Sequence, residues 1–330
     1  MEIENTHTPE DLRIMQAWTL ERKIQVTQTR IIEWYQEYNG RVCVSFSGGK
    51  DSTVLLDLAR RCYPDIEGVF ADTGLEFPEI REFVKTKENI TWVRPEKKFF
   101  DVVTEYGWNY PSKEVSLNLW YAKHSEKNKQ NYINWINGLN KDGSKSVHHQ
   151  RYKKFAYLLD APFIFSHKCC GIIKERPLAK YEKEHGLTPI TAIMASESSR
   201  RKTAWLKTGC NNFDKNKPMS KPMSFWTDQD VLRYLKEFSI TYASVYGDII
   251  EGKDGQLSVT GEKRTGCMFC PVGCHLDKSG NKFQNMKKTH PKQWEYCIFG
   301  GELNENGVWV PNKQGLGLGR LLDYIGVKYE

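Results

Sequence analysis

One junction constrains this chain more than any other: the apolar stretch Val42-Cys-Val-Ser-Phe46 runs straight into Ser47-Gly-Gly-Lys-Asp-Ser52. The apolar and β-branched residues predict a buried strand. After the glycines, Ser52 to Cys62 repeats at helical spacing, with Val54, Leu55, Leu58 and Cys62 on one side. A strand that meets a helix through a glycine turn makes a socket for an anion. Amides point outward, the helix dipole favours negative charge, and missing Cβ atoms let phosphate oxygens come close. Lys50 adds a mobile positive charge, and the hydroxyls of Ser47 and Ser52 can donate to oxygens. The expectation is a nucleotide site built from Ser47, Gly48, Gly49, Lys50, Asp51 and Ser52.

The spacing narrows the kind of phosphate loop. A Walker loop needs G-x-x-x-x-G-K-[ST], whereas here the glycines are adjacent and lysine follows directly. Ser-Gly-Gly-Lys-Asp-Ser instead resembles the PP-loop of ATP pyrophosphatases. That resemblance implies a grip on the β- and γ-phosphates, with attack at the α-phosphorus and pyrophosphate leaving.

At 330 residues the chain can bury a sizeable core as one large domain or two modest ones. A net charge of +7 is consistent with an anionic partner without demanding one. No stretch has the order of a signal peptide, and no apolar run approaches about 18 residues. Nine cysteines, an odd number, fit thiols kept for metal or redox chemistry in the cytoplasm better than a disulfide scaffold.

Thr8-Pro-Glu-Asp11 reads as a helix start, and apolar spacing through Leu12, Trp18, Ile24, Ile31 and Trp34 predicts one long helix packed on a sheet. Gly68–Asp72 and Ile90–Val93 read as strands, with helices over Pro78–Val84 and Phe99–Tyr106. A helix through Cys170 to Glu184, a strand at Pro189–Met194 and a helix over Asp228–Phe238 follow. Strands alternating with helices predict an α/β fold with a doubly wound parallel sheet and ligands at the strands' carboxyl ends. The expected division is a nucleotide-binding domain over 1–240 and a cysteine-containing C-terminal extension over 241–330, packed on the first domain. Residues 112–154 form a basic insertion with Trp120, Tyr121, Tyr132, Trp135 and Tyr152. Aromatic platforms among cations suit nucleic acid, and a solvated lid with packed aromatics is the blander reading. Gly315, Gly317 and Gly319 read as a flexible connector.

Two further groups carry chemistry. Asp72-Thr-Gly74 falls where the second strand should stop, one β/α step after the loop, so Asp72 and Gly74 are candidates to meet ribose, adenine or a phosphate-bound metal. Cys169-Cys170 and Cys267-Met-Phe-Cys270 form two pairs, the second flanked by Gly266, Pro271 and Gly273 as in a metal knuckle. An iron–sulfur cluster, a structural zinc or a redox disulfide would each use such thiols. His167, His275 and His290 are weaker candidates.

Taken together these motifs resemble the phosphoadenosine phosphosulfate (PAPS) reductase family of the PP-loop superfamily, across most of residues 40–275. The resemblance rests on Ser47–Ser52, Ala71-Asp-Thr-Gly74 with Phe77-Pro78, and Cys169-Cys170 with Lys174, Arg176, Pro177 and Leu178. Ser198 and Arg201 fit an anion-binding Ser/Arg motif, and Pro222, Trp226, Asp230 and Val231 fit a further stretch. It implies an adenine nucleotide alpha hydrolase-like fold, and a [4Fe–4S] cluster held by Cys169, Cys170, Cys267 and Cys270.

The departures matter too. The family's reductases attack the sulfonucleotide with a cysteine in a Glu-Cys-Gly motif, which Leu321 to Glu330 lacks; Cys297 is the last thiol and stands in another context. Ala192 and Met194 replace the usual Gly and Arg. The combination is closer to members that handle ATP and sulfur in nucleic-acid modification, such as the C component of DNA phosphorothioation, and to phage-borne reductase-like proteins. The leading expectation is therefore Mg²⁺-dependent adenylation by ATP in sulfur transfer, with Lys50, Asp51 and Arg201 catalytic and Ser198 helping to bind the nucleotide. A sulfur-donor protein of the cysteine desulfurase kind would be its partner. The alternatives are a PAPS or adenosine phosphosulfate reductase that releases sulfite, and a non-catalytic nucleotide sensor.

Overall fold

A computed structural model describes residues 6–330 except 215, 217, 278 and 279. The described residues fall into two compact units. The first comprises residues up to Asp72, Glu76–Arg94 and Arg176–Thr265; the second comprises Thr73–Leu75, Pro95–Glu175 and Gly266–Glu330. The chain thus passes between the units several times.

The first unit is built on a six-stranded sheet. Its strands are β1 (Val42–Ser45), β2 (Glu67–Ala71), β3 (Ile90–Val93), β4 (Thr188–Ile190), β5 (Asn211–Asn212) and β6 (Met219–Ser220). They lie in the order β3-β2-β1-β4-β6-β5, parallel except where β5 runs against β6. This is the doubly wound arrangement. Cys43 faces Glu67 on one side and Pro189 on the other, so the winding reverses at β1. Such a reversal opens a crevice beyond the carboxyl ends of the two central strands.

The expected single N-terminal helix is two: α1 (Pro9–Gln16) and α2 (Leu20–Glu37). Thr8 closes a capping box with Asp11, and Thr19 caps the second helix by accepting from the Arg22 amide. The second cap, an Ser/Thr-type N-terminus inside a continuous apolar pattern, is what restarts the helix. On α2, Thr27 Oγ1 accepts from Trp226 Nε1 at 2.8 Å, and Lys23 Nζ reaches Asp230 at 2.6 Å with its side chain only 2% exposed. Two further helices lie close to the strand ends, α3 (Lys50–Cys62) after β1 and α4 (Pro78–Lys85) after β2. Val54, Leu55 and Leu58 of α3 are buried, as their spacing predicts, whereas Cys62 on the same side is only half-buried.

The second unit is mainly helical. Helices Lys113–His124 and Lys129–Ile136 occupy the basic segment. Its aromatic residues stack on one another, Tyr121 on Tyr132 and Trp135 on Tyr152. Lys168 lies over Trp120, 3.8 Å from the ring centre. The nucleic-acid reading of 112–154 gains no support from this packing. The three C-terminal glycines form a packed turn rather than a flexible connector. A Cβ on Gly315 would come within 2.4 Å of the Phe299 carbonyl oxygen, and Gly317 is the left-handed cap of helix Leu318–Tyr324. Among the described residues no helix is long and apolar enough to cross a membrane.

Candidate functional site

The loop between β1 and α3 has the backbone that its sequence calls for. Gly48 sits at φ +70°, and a Cβ there would come within 2.7 Å of Val84 Cγ2 and 2.8 Å of Ile80 Cγ2. Both the conformation and the space require glycine. Gly49 is the N-cap of α3. The Ser47 and Ser52 hydroxyls are 3.0 Å apart, and Ser52 donates to the Gly49 carbonyl at 2.9 Å, which fixes the turn. The amides of Gly48, Asp51 and Ser52 donate to no acceptor among the described residues. The Lys50 amide donates to the Tyr246 hydroxyl, which is itself held 2.5 Å from Thr265 Oγ1.

Around this turn the charges alternate. Lys50 Nζ lies 2.7 Å from Asp228 Oδ1 and 3.4 Å from Asp51 Oδ1, with its side chain 6% exposed. Burial works against the lysine's charge, but Asp51 and Asp228 more than offset it and hold its pKa above the ordinary value. Burial pushes the Asp51 carboxyl up, with Asp228 adding to it, while Lys50 and Arg264 pull the other way. Arg201 is also brought into this group. Burial and the neighbouring Arg264 oppose its charge, and Asp51 favours it. Arg201 pairs with Glu197 one turn earlier, and Ser198 caps its helix, Ser199–Thr208, by accepting from the Arg201 amide.

Asp72 stands at the end of β2, as expected, but it is taken. Its side chain is 4% exposed and is gripped by Arg81 and Arg94, each at 3.1 Å. Gly74 belongs to the second unit, at φ +77° with open space where a Cβ would lie. Four residues escaped the sequence reading: Asp228, Tyr246, Arg264 and Thr265. Asp228 is hidden in an ordinary helix start, Thr227-Asp-Gln-Asp230, and nothing local marks it as a partner for Lys50.

The two cysteine pairs meet in the second unit. Cys169 and Cys170 lie on a helical turn, Lys168–Cys170, followed by a π turn over Gly171–Glu175. A hydrogen bond shared between the two thiols, together with burial and the nearby Cys267 and Cys270, pushes Cys169 up. The same bond pulls Cys170 down to about 6 against its burial, with help from Lys113 and Lys174. Among the described residues no group of three or more His, Cys, Asp or Glu side chains is arranged to hold a metal ion. The four thiols are neighbours and of the right kind for a thiolate-bound metal, without converging on one point.

Residues 41–155 match the family described as phosphoadenosine phosphosulfate reductase domain. This match covers about a third of the chain, which is similar to the family over that stretch. Among family relatives, an adenosine 5'-phosphosulfate reductase from Staphylococcus haemolyticus is 24% identical over 267 residues, 78% of this chain and 83% of its own length. Adenosine 5'-phosphosulfate reductase 2 of Bacillus subtilis is 28% identical over 153 residues, 42% of this chain and 64% of its own. An uncharacterized protein of Methanocaldococcus jannaschii is 24% identical over 303 residues, 87% of this chain and 56% of its own. The chain thus spans less than two thirds of the latter two relatives.

Proposed function

We propose that this PAPS reductase-like protein binds an adenine nucleotide through loop 47–52 and catalyses adenylation by ATP in a sulfur-transfer reaction. The observation that carries this reading is Lys50, set between Asp228 and Asp51 beside three open amides. Lys50 and the amides suit the growing charge of departing pyrophosphate. The two carboxylates suit a divalent cation travelling with the polyphosphate. Arg201 would clamp an anionic oxygen of nucleotide or acceptor.

In the step proposed, an acceptor oxygen attacks the α-phosphorus, the bond to the bridging oxygen of the β-phosphate breaks, and pyrophosphate leaves with that electron pair. The terminal sulfur of a donor persulfide then attacks the adenylated centre and AMP leaves; a second thiol cleaves the resulting disulfide, forming a disulfide with the donor and releasing the thiolated acceptor. The acceptor in this reading is a nucleic acid or a small molecule, and the donor a desulfurase-like protein. The test is product analysis with ATP and Mg²⁺. AMP and pyrophosphate, lost in Lys50→Ala, support the reading; ADP and phosphate as products overturn it.

The relatives named as adenosine 5'-phosphosulfate reductases favour a second reading, reduction of a sulfonucleotide with release of sulfite. Against it, Cys297 is fully buried and its thiol is pushed up by that burial, so the last thiol in the sequence is not poised for attack. Thiol-dependent sulfite release from adenosine phosphosulfate or PAPS, without AMP formation from ATP, selects this alternative.

Cys169, Cys170, Cys267 and Cys270 are proposed to hold a [4Fe–4S] cluster, because four soft thiolates select iron–sulfur or zinc. When bound, it would supply electron transfer or shape to the second unit. Anaerobically purified protein should then contain iron and acid-labile sulfide and absorb broadly near about 400 nm. A colourless protein carrying zinc instead would exclude the cluster.

A further inference from the structure

The Lys50 amide, at the start of α3, is spent on a side chain 196 positions away: it donates to the Tyr246 hydroxyl at 3.2 Å. Tyr246 is 2% exposed, and its hydroxyl lies 2.5 Å from Thr265 Oγ1. Thr265 is half-buried and makes no other hydrogen bond among the described residues. A Cβ built on Gly49 would lie 3.2 Å from Tyr246 Oη, 3.3 Å from Ser47 Oγ and 3.6 Å from Thr265 Oγ1. Three hydroxyls therefore gather over the N-cap of α3.

Backbone pairing holds the two residues in place from behind. Residues 245–248 and 260–262 close the base of a hairpin whose strands are Ile249–Glu251 and Leu257–Val259. The amides of Gly261 and Glu262 donate to the carbonyls of Tyr246 and Val245 at 2.8 and 2.9 Å, and the Asp248 amide donates to Thr260 Oγ1 at 2.9 Å. Gly261 permits this approach, since a Cβ there would come within 2.3 Å of the Val245 carbonyl oxygen. The phenol thus keeps its position without help from a ligand.

A phenol has one proton, which fixes the direction of the pair. Tyr246 Oη already accepts from the Lys50 amide. If Thr265 donated to it as well, the phenolic proton would have no acceptor on a side chain closed to water, and that is costly. Tyr246 therefore donates to Thr265 Oγ1. Burial, with Asp51 adding to it, holds the phenol's pKa above the ordinary tyrosine value against the pull of Thr265 and Lys50, so the proton stays. The Thr265 hydroxyl proton is then left over, on a half-buried side chain beside the loop. In the series Lys50 N–H, Tyr246 O–H, Thr265 O–H all donors point one way, and each bond polarises the next. It carries the donor end of the helix start outward.

We propose that Thr265 is a further binding residue of the phosphate loop, its hydroxyl donating to a phosphate oxygen of the bound nucleotide, with Tyr246 the positioning residue that turns it that way. This deepens the nucleotide reading of loop 47–52 and rests on it. A phosphate oxygen is the complement, because the hydroxyl left over is a donor and the open loop amides beside it are donors too.

The test is equilibrium binding of ATP and of pyrophosphate, each with Mg²⁺, by the full chain. Thermal melts establish that each variant is folded. Thr265→Val keeps the shape, removes the hydroxyl and should weaken both ligands about tenfold. If valine does not fold, Thr265→Ala reads the same loss. Thr265→Ser keeps the hydroxyl and should bind within about twofold of wild type. Tyr246→Phe breaks the series while leaving Thr265 intact, and should weaken binding about threefold. Unchanged affinity without the Thr265 hydroxyl, or an equal loss in the serine variant, overturns the proposal. Tighter binding by Tyr246→Phe also overturns it, because the phenol would then be competing with the ligand for the Lys50 amide. Lys50→Ala is measured alongside. If it alone loses binding, the loop reading stands and only the Thr265 assignment falls; if wild type binds neither ligand, both fall.

Discussion

The ammonium of Lys50 lies 2.7 Å from the Asp228 carboxylate, joining the first turn of α3 to the first residue of a helix 178 positions later. Each helix start would otherwise favour an anion. The pair puts a buried cation against one N-terminus and spends its charge on the other until a ligand competes for it. Lys50→Ala should lower ATP turnover by about 100-fold or more. Asp228→Asn should leave Lys50 paired with Asp51 and raise the Mg²⁺ concentration for half-maximal rate by about tenfold. Initial rates across a magnesium titration check both, and an unchanged rate in Lys50→Ala would sink the assignment of this loop.

Gly48→Ala tests the loop through its backbone alone. The new methyl meets Val84 and Ile80 at a left-handed φ, so the turn must distort. The expected cost is about 1–3 kcal/mol of stability, with the shift in melting temperature on adding ATP lost as well. An alanine variant that melts like wild type and keeps its ATP response would show that the turn is not under this constraint.

Lys23 and Asp230 carry a stability prediction unconnected to the phosphate loop. Lys23 is buried, donates to the Gln16 carbonyl and pairs with Asp230, which also accepts from the amide and hydroxyl of Thr227. Lys23→Met removes the cation and strands a partly buried carboxylate, at a cost of about 3 kcal/mol. Urea unfolding followed through tryptophan fluorescence measures it. A midpoint equal to wild type would mean that water already satisfies the pair.

Glu182 gives a pH dependence with a definite sign. Burial alone pushes its carboxyl above the ordinary value, so the folded state holds a proton that the unfolded chain has released. Between the unfolded value and the raised folded value, stability falls as pH rises. Glu182→Gln removes that slope. The variant should match wild type below the ordinary glutamate range and melt about 1–2 °C higher at neutral pH. Parallel melting curves at every pH would contradict the assignment.

Local chemistry settled several of the elements from the sequence alone. The apolar run at Val42–Phe46 could only be a buried strand, and the glycines after it could only be the tight turn that delivers α3. Thr8 likewise capped a helix where its spacing with an acid three residues on required it. Alternation of such elements then determined a doubly wound sheet. Tertiary structure decided everything that depends on distant partners. It broke the N-terminal helix at Thr19, gave Asp72 to Arg81 and Arg94, and brought Asp228, Tyr246 and Arg264 to the loop. It also packed the aromatics of the basic segment against one another and turned Gly315–Gly319 into a buried corner. The physical reason is range. Caps, turns and periodicity act over a few residues and leave a local mark, whereas an ion pair or a stacked ring is specified only when the sheet has carried two far-apart positions within a few ångströms.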